Sequence, residues 1–134
     1  MIRRIDHIGI AVTNIDEAIK LYTQALGLKV SDIETVTEHK VKIAMIPVGE
    51  SKIELLEPTH PEGNLARHIE KRGEGLHHLA LEVSDIEAAL GSLKTEGIPL
   101  VDETPRIGAG GSKVAFLHPK GANRVSIELV EPTK

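Results

Sequence analysis

Two histidines and two glutamates recur at matched places in the two halves of the chain. His7 opens the stretch His-Ile-Gly-Ile-Ala-Val, and His78 opens His-Leu-Ala-Leu-Glu-Val at an offset of 71 (78 − 7). Near the end of each half stands the pattern Ile-Glu-Leu-X-Glu-Pro, in which Glu54 and Glu128 hold the same place at an offset of 74 (128 − 54). Neutral imidazoles and carboxylates bind divalent transition metals, and four of them on an octahedral ion leave two positions for a substrate. If the two copies pack together, the sequence predicts a catalytic metal centre.

Each of these residues, taken alone, has a simpler structural explanation. A single histidine at a strand end is usually hydrogen-bonded surface or core, and a glutamate in an alternating strand usually faces solvent. The matched recurrence of all four favours the metal interpretation, although a duplication copies structural residues as faithfully as ligands. His77 should point away from its neighbour His78, so His78, which aligns with His7, is the better ligand. The other histidines have no repeat partner and are interpreted as ordinary surface residues, with His118 also a candidate pocket residue: His39, His60, His68 and His118.

The residues around these positions predict the same order of elements twice. Alternation over residues 5–12 predicts a strand with His7 facing away from its apolar side. Asn14, with a glutamate three positions later, predicts the start of an amphipathic helix that Gly27 ends. The second half repeats this arrangement between Asp85 and Gly97.

The later strands complete two βαβββ modules. Residues 42–46 match residues 113–117, again at an offset of 71, and a further strand follows each. We therefore predict an α+β fold in one domain of 134 residues. Its first module is predicted at about residues 1–58, a linker with a brief helix at about 59–75, and its second module at about 76–134.

The composition is that of an ordinary globular protein, with 40% hydrophobic and 27% charged residues. One Tyr, one Phe and no Trp leave no platform for stacking bases, and a net charge of −4 also disfavours nucleic-acid binding. No Cys is present, so metal ligands must be histidines and carboxylates. No apolar run approaches the ~20 residues of a membrane span, and charge comes too early for a signal peptide. We predict no membrane partner and a cytoplasmic location.

The chain resembles the vicinal oxygen chelate superfamily, also called the glyoxalase and bleomycin resistance superfamily, along its whole length. Residues 6–12, 73–80 and 105–120 are most similar to methylmalonyl-CoA epimerases, and glyoxalase I is a close relative. The resemblance implies paired βαβββ modules in a cup-shaped mixed sheet around a divalent ion (Co²⁺, Zn²⁺, Ni²⁺ or Mn²⁺), and a homodimer. By position, the family's four ligands carry over onto His7, Glu54, His78 and Glu128.

The implied activity is that of an isomerase acting on an acyl-CoA, the exchange of (R)- and (S)-methylmalonyl-CoA. A carbon acid beside a thioester is too weak to ionise unaided, so the metal stabilises an enolate while a carboxylate takes the proton. Glu128 is the firmer candidate for this base and Glu54 the second. Epimerases usually carry Gln at the place of Glu54, whereas glyoxalase I (lactoylglutathione lyase) carries Glu there. Glyoxalase I is therefore the alternative activity.

A glycine-rich segment with nearby cations is the candidate site for the CoA phosphates. Arg106, Lys113 and Lys120 accompany Gly110 and Gly111, whose amides could approach phosphate oxygens. A flexible loop with ordinary solvated cations explains the same residues equally well. The segment is predicted to bind substrate on the strength of the implied CoA ligand.

A non-catalytic small-molecule binder, such as a drug-sequestering resistance protein of the same superfamily, is a less favoured alternative. Those proteins lack the full ligand set and line their cleft with aromatic side chains. This chain has only Tyr22 and Phe116 as such residues.

Overall fold

The computed structural model describes residues 1–133. Within that range the chain forms eight β-strands and three α-helices, interspersed with short 3₁₀ and π-helical turns. In chain order they are β1 (Ile2–Ala11), α1 (Ile15–Lys20), β2 (Asp32–Val36), β3 (Val41–Val48), β4 (Ser51–Pro58), α2 (Asn64–Arg72), β5 (Gly75–Val83), α3 (Ile86–Thr95), β6 (Arg106–Ile107), β7 (Lys113–Phe116) and β8 (Ile127–Glu131). The predicted βαβββ order is thus present twice, with α2 between the copies.

The chain divides into two compact units. The first unit is Ile8–His77, and the second unit is Met1–His7 together with the described residues from His78 onward. Strand β1 contributes its residues 2–7 to the second unit and its residues 8–11 to the first. The two units are defined by contacts between residues, whereas the predicted modules are defined by the sequence repeat. The predicted module boundaries and the single domain remain predictions.

The first unit is a sheet with α1 packed on it. Its strand order is β2-β3-β4-β1, and β3 is antiparallel to both β2 and β4. Apolar residues of alternating strand positions meet the buried face of α1, so that the core consists of Val12, Ile15, Ala44, Ile46 and Leu55. Asn14 caps α1 as predicted, its side chain accepting a hydrogen bond from Glu17 N at 3.1 Å.

The second unit repeats this plan with α3 as its helix. Its strand order is β1-β5-β8-β7-β6, with β5 parallel to β8, and β7 antiparallel to both β8 and β6. The sheet is therefore mixed, as predicted. Asp85 caps α3 by accepting from Ala88 N at 3.1 Å. The helix covers a core of Val83, Ile86, Ala89, Leu90, Ala115, Leu117 and Leu129.

The first helix differs from the prediction in its second half. The apolar stripe predicts an α-helix through Leu26, whereas α1 ends at Lys20 and Leu21–Ala25 continues as a π-helical turn. Thr23 Oγ1 donates a hydrogen bond of 2.9 Å to Ile19 O, the carbonyl that the next α-helical N–H would use. This side-chain competition accompanies the wider turn, and apolar spacing carries no information about it.

The linker helix is present where the sequence predicts it. Helix α2 begins at Asn64 and ends before Gly73, whose φ of 77° lies in the left-handed region that favours glycine. In the described part of the chain, no helix combines the length and the apolar character needed to cross a membrane.

Candidate metal centre

The imidazole rings of His7 and His78 face each other inside the second unit. His7 lies on β1 and His78 on the neighbouring strand β5, and both side chains are buried. Their Nε2 atoms are 2.9 Å apart, and the rings meet edge to face at an interplanar angle of 87°. One nitrogen of each ring therefore approaches the same small region.

Glu128 brings a carboxylate oxygen to this pair. It lies on β8, where it is in register with Ala80 of β5. Glu128 Oε1 is 3.1 Å from His7 Nε2 and 3.2 Å from His78 Nε2. Three of the four residues that the sequence analysis selected are thus brought together in one unit.

The spacing of these three atoms fits a divalent cation. Donors at about 2.1 Å from an octahedral ion lie about 3.0 Å from each other in neighbouring positions, close to the distances found here. Glu128 Oε1 is fully buried and forms no hydrogen bond of good geometry with the described residues, although both ring nitrogens are near. A proton joins only one pair of these atoms at a time, whereas a cation satisfies all three.

The charge state of Glu128 suits the same role. Burial, the largest single influence, raises the pKa of this carboxyl group, but the adjacent His7 and His78 rings together lower it by more. The net pKa lies below the ordinary glutamate value. Glu128 is therefore ionised at neutral pH, as a metal-binding carboxylate must be.

The fourth predicted ligand, Glu54, belongs to the first unit. It lies on β4, in register with Met45 of β3, and is only 4% exposed. Such burial is rare for an ionisable glutamate without a functional or structural partner. Its role as a ligand remains a prediction.

The neighbouring histidine, His77, has a different environment from His78. Its ring packs against His68 of α2, with ring centroids 4.7 Å apart, inside the first unit. The two adjacent histidines therefore have different ring partners, as strand alternation predicts. The interpretation of His68 as a simple surface residue is wrong, because it is half-buried in this pair.

Two of the three cations expected to contact CoA phosphates already face carboxylates. Arg106 Nε is 3.0 Å from Asp102 Oδ1, and Lys113 Nζ is 3.4 Å from Glu87 Oε2. Lys120 is exposed on a 3₁₀ turn. The positive charge near the glycine-rich segment is consequently smaller than the sequence suggests.

Two glycines of this segment adopt backbone conformations that favour glycine. Gly110 and Gly111 have φ values of 65° and 78°, which side chains with a Cβ adopt rarely. Both are exposed, and Gly110 O accepts a hydrogen bond of 2.9 Å from Thr133 Oγ1. Whether their amides also contact phosphate remains a prediction.

Two residues beside the histidine pair were not selected from the sequence. Asp6 Oδ2 is 2.7 Å from His7 Nδ1, and Phe116 packs its ring edge to face against His78 at 5.6 Å. Phe116 is in register with Glu128 across β7 and β8, a pairing that the repeat alignment could have indicated. Adjacency to His7 was the only signal for Asp6, and strand alternation argues against contact between such neighbours.

The second glutamate of each repeated Ile-Glu-Leu-X-Glu-Pro pattern has a structural role. Glu57 Oε1 accepts from Ile15 N at 2.7 Å, and Glu131 Oε1 accepts from Ile86 N at 2.9 Å. Each carboxylate thus binds the first turn of the helix in its own unit, where the helix dipole favours negative charge. The duplicated pattern contains both a candidate ligand and a helix cap.

Comparison with known proteins identifies the family. The sequence matches the glyoxalase/bleomycin resistance protein/dioxygenase superfamily over residues 6–116. The chain belongs to this superfamily, and the predicted membership is confirmed.

Individual relatives are similar to this chain over nearly its whole length. The ethylmalonyl-CoA/methylmalonyl-CoA epimerase of Cereibacter sphaeroides is 38% identical over 131 residues, which covers 96% of this chain and 98% of that protein. The uncharacterized protein YqjC of Bacillus subtilis is 42% identical over 129 residues, covering 96% and 92%. A structure of a Streptomyces coelicolor methylmalonyl-CoA epimerase variant with 2-nitronate-propionyl-CoA matches with a TM-score of 0.95, at 34% identity, covering 99% and 96%. The predicted glyoxalase-like βαβββ fold is confirmed by this similarity.

Proposed function

We propose that this protein is a metal-dependent isomerase that interconverts (R)- and (S)-methylmalonyl-CoA. The observation that carries the proposal is the convergence of His7 Nε2, His78 Nε2 and Glu128 Oε1 within 3.2 Å of one another. Similarity over nearly the whole chain to proteins named as methylmalonyl-CoA epimerases supports the choice of substrate.

His7, His78 and Glu128 would hold the divalent ion, with Glu54 as the fourth ligand. When bound, the ion supplies a Lewis acid that makes the α-carbon of a coordinated thioester acidic enough to ionise. Glu54 is assigned on its repeat equivalence to Glu128 and on its burial. Co²⁺, Zn²⁺, Ni²⁺ and Mn²⁺ all accept this combination of ligands.

Glu128 is the proposed base, with Glu54 serving the opposite face of the α-carbon. Because Glu128 Oε1 faces the two histidines, Oε2 is the atom we assign to proton transfer. The pKa of Glu128 lies below the ordinary glutamate value, so its carboxylate is in the ionised form that can accept a proton.

An apolar patch of the second unit supports this chemistry. The buried side chains of Ala80, Val114 and Val130 pack together beside Glu128. Phe116 extends the patch at His78. Charge interactions are stronger in such a region than in water, which favours stabilisation of an enolate.

Arg106, Lys113 and Lys120, together with the amides of Gly110 and Gly111, are proposed to contact the CoA phosphates. Since Arg106 and Lys113 are ion-paired with Asp102 and Glu87, they would have to exchange partners on substrate binding. Lys120 is therefore the strongest candidate of the three cations.

Glyoxalase I is the second candidate, favoured by the glutamate at position 54. A single preparation of known metal content distinguishes the two activities. We expect exchange of the methylmalonyl-CoA α-proton with deuterium from heavy water, with loss of exchange after chelation and recovery on adding metal. Turnover of the glutathione hemithioacetal of methylglyoxal without any exchange of the CoA ester would contradict the epimerase assignment. Binding of small molecules without either activity would favour a non-catalytic binder.

A homodimer is also proposed on the resemblance to the family, and a cytoplasmic location remains the prediction made from the sequence. Sedimentation equilibrium tests the first of these: we expect a mass near twice the 14.5 kDa of the chain. A mass near 14.5 kDa at micromolar concentration would contradict it.

A further inference from the structure

The buried carboxylate of Asp6 contacts Nδ1 of His7. Asp6 is 7% exposed and His7 4% exposed, and Asp6 Oδ2 lies 2.7 Å from His7 Nδ1. Both residues belong to the second unit. This short contact is on the side of the ring opposite to the nitrogen that approaches His78 and Glu128.

We propose that Asp6 is a positioning residue that holds His7 in the tautomer with its proton on Nδ1. A neutral imidazole carries one proton, and a carboxylate at one nitrogen keeps that proton there as a hydrogen-bond donor. The lone pair of Nε2 is then directed to the centre formed with His78 and Glu128. The inference rests on the proposed metal centre and adds to it a residue that orients one ligand.

The repeat argues that this arrangement is particular to one copy. The residue equivalent to Asp6 in the second half is His77, at the offset of 71 (77 − 6). His77 packs against His68 and provides no carboxylate to the ring of His78. A buried carboxylate is therefore adjacent in sequence to only one of the two histidines.

A buried acid could also be present merely for folding. The second unit contains another buried carboxylate that serves as a matched control, Glu82, which is 8% exposed. Arg3 Nε and Arg4 Nε lie 3.5 and 3.7 Å from its oxygens. Removing the Glu82 charge disturbs a buried carboxylate of this unit without removing the contact to His7.

The primary test is the tautomer of His7 in the metal-free protein, read from long-range ¹⁵N–¹H correlations of the ring at a pH where the histidines are neutral. A His7→Gln variant assigns the signals. We expect the Nδ1–H form in the wild type, its retention in Asp6→Asn, whose side-chain oxygen still accepts, and a mixture or the Nε2–H form in Asp6→Leu. Asp6→Ser, too short to reach Nδ1, gives the same test if the leucine variant fails to fold. Glu82→Gln should leave the His7 signals unchanged.

The second measurement is zinc affinity by competition with a chelator. Loss of a partner that orients a metal-bound histidine typically weakens binding by about 10- to 100-fold. We expect that loss in Asp6→Ser, a smaller loss in Asp6→Asn, and none in Glu82→Gln. An unchanged His7 tautomer in Asp6→Ser, or an equal loss of affinity in Glu82→Gln, would overturn the inference. If the tautomer changes as expected but the wild type binds no metal, the proposed function fails while the effect of Asp6 on His7 stands.

Discussion

At the level of single residues, two glutamates of strand β8 have different roles although the repeat duplicates both. Glu128 is buried against the histidine pair, whereas Glu131 accepts a hydrogen bond from Ile86 N at 2.9 Å. Their counterparts in the first half are Glu54 and Glu57. Both are glutamates that the repeat duplicates, so residue type and duplication do not distinguish a candidate ligand from a helix cap, and only their contacts do.

Replacing Glu128 by glutamine tests the first of these roles. Glu128→Gln keeps the size of the side chain but removes the negative charge and the proposed base. We expect bound zinc to fall well below one equivalent and kcat to fall by about 100-fold or more. Elemental analysis and α-proton exchange measure the two effects. The matched variant Glu131→Gln should retain the metal, and equal losses in both variants would count against a specific role for Glu128.

A second residue, Glu74, should make the free energy of unfolding decrease at acidic pH. Its carboxylate accepts from Thr13 N at 2.7 Å and from Thr13 Oγ1 at 2.9 Å. The backbone hydrogen bond, followed by that of the hydroxyl, lowers the pKa of Glu74, and slight desolvation opposes them. The pKa of Glu74 is lower in the folded state than in the unfolded state. Its hydrogen bonds to Thr13 therefore stabilise the fold fully above the unfolded pKa, and this stabilisation is lost as pH falls through the folded pKa.

The measurement is urea unfolding between neutral pH and pH values below the ordinary glutamate pKa. Wild type should lose stability over this acidic range more steeply than Glu74→Gln, because the variant has no proton to bind there. Glu70→Gln, on the exposed side of α2, is a control for the same change in charge. Parallel pH profiles for wild type and Glu74→Gln would show that the Thr13 contact has no effect on stability.

At the level of elements, each unit fastens its helix to its sheet with a carboxylate from the last strand of a βαβββ copy. Glu57 of β4 accepts from the start of α1, and Glu131 of β8 accepts from the start of α3. The Asn14 and Asp85 side chains cap the same helices through other backbone amides. The first turn of α1 and that of α3 therefore each have two side-chain acceptors, which partly satisfy the backbone N–H groups that have no partner within the helix.

We expect Glu57→Ala and Glu131→Ala each to lower the free energy of unfolding by about 1–2 kcal/mol. Glutamine retains an acceptor oxygen, so Glu57→Gln and Glu131→Gln should each cost less than the alanine variants. Chemical denaturation followed by circular dichroism measures these changes. Asp16→Ala, an exposed acidic position in the first turn of α1, provides the comparison. If it destabilises the protein as much as Glu131→Ala, helix propensity or net charge rather than the strand-to-helix contact is responsible.

At the level of the whole molecule, the net charge of −4 opposes the binding of a polyanionic CoA ester. Binding then depends on local cations, and two of the three candidates already have acidic partners. Lys120 is exposed and should matter most.

We expect Lys120→Ala to raise KM for methylmalonyl-CoA several-fold while changing kcat little, because a phosphate contact acts equally on substrate and transition state. Arg106→Ala should have a smaller effect, since it also releases Asp102 from its ion pair. Steady-state kinetics at two salt concentrations measure both, and Lys29→Ala is a control for the same change in net charge. An unchanged KM in Lys120→Ala would remove this residue from the proposed phosphate site.

The sequence by itself indicated the order of the elements and selected His7, Glu54, His78 and Glu128 as candidate ligands. Strand alternation, capping residues and glycine stops are local signals, and the repeat relates positions without knowledge of their contacts. The same local signals did not indicate the π-helical turn after Lys20, because it is accompanied by a side-chain hydrogen bond that apolar spacing does not reflect.

Tertiary structure alone decided which polar groups become partners. The contacts of Asp6 with His7 and Lys113 with Glu87 depend on side-chain direction and on which elements are neighbours. Glu131 reaches Ile86 N because β8 lies beside the start of α3, which a chain separation of 45 residues gives no means of knowing. Hydrogen bonds and ion pairs act over a few ångströms in space, and periodicity along the chain carries no record of those distances.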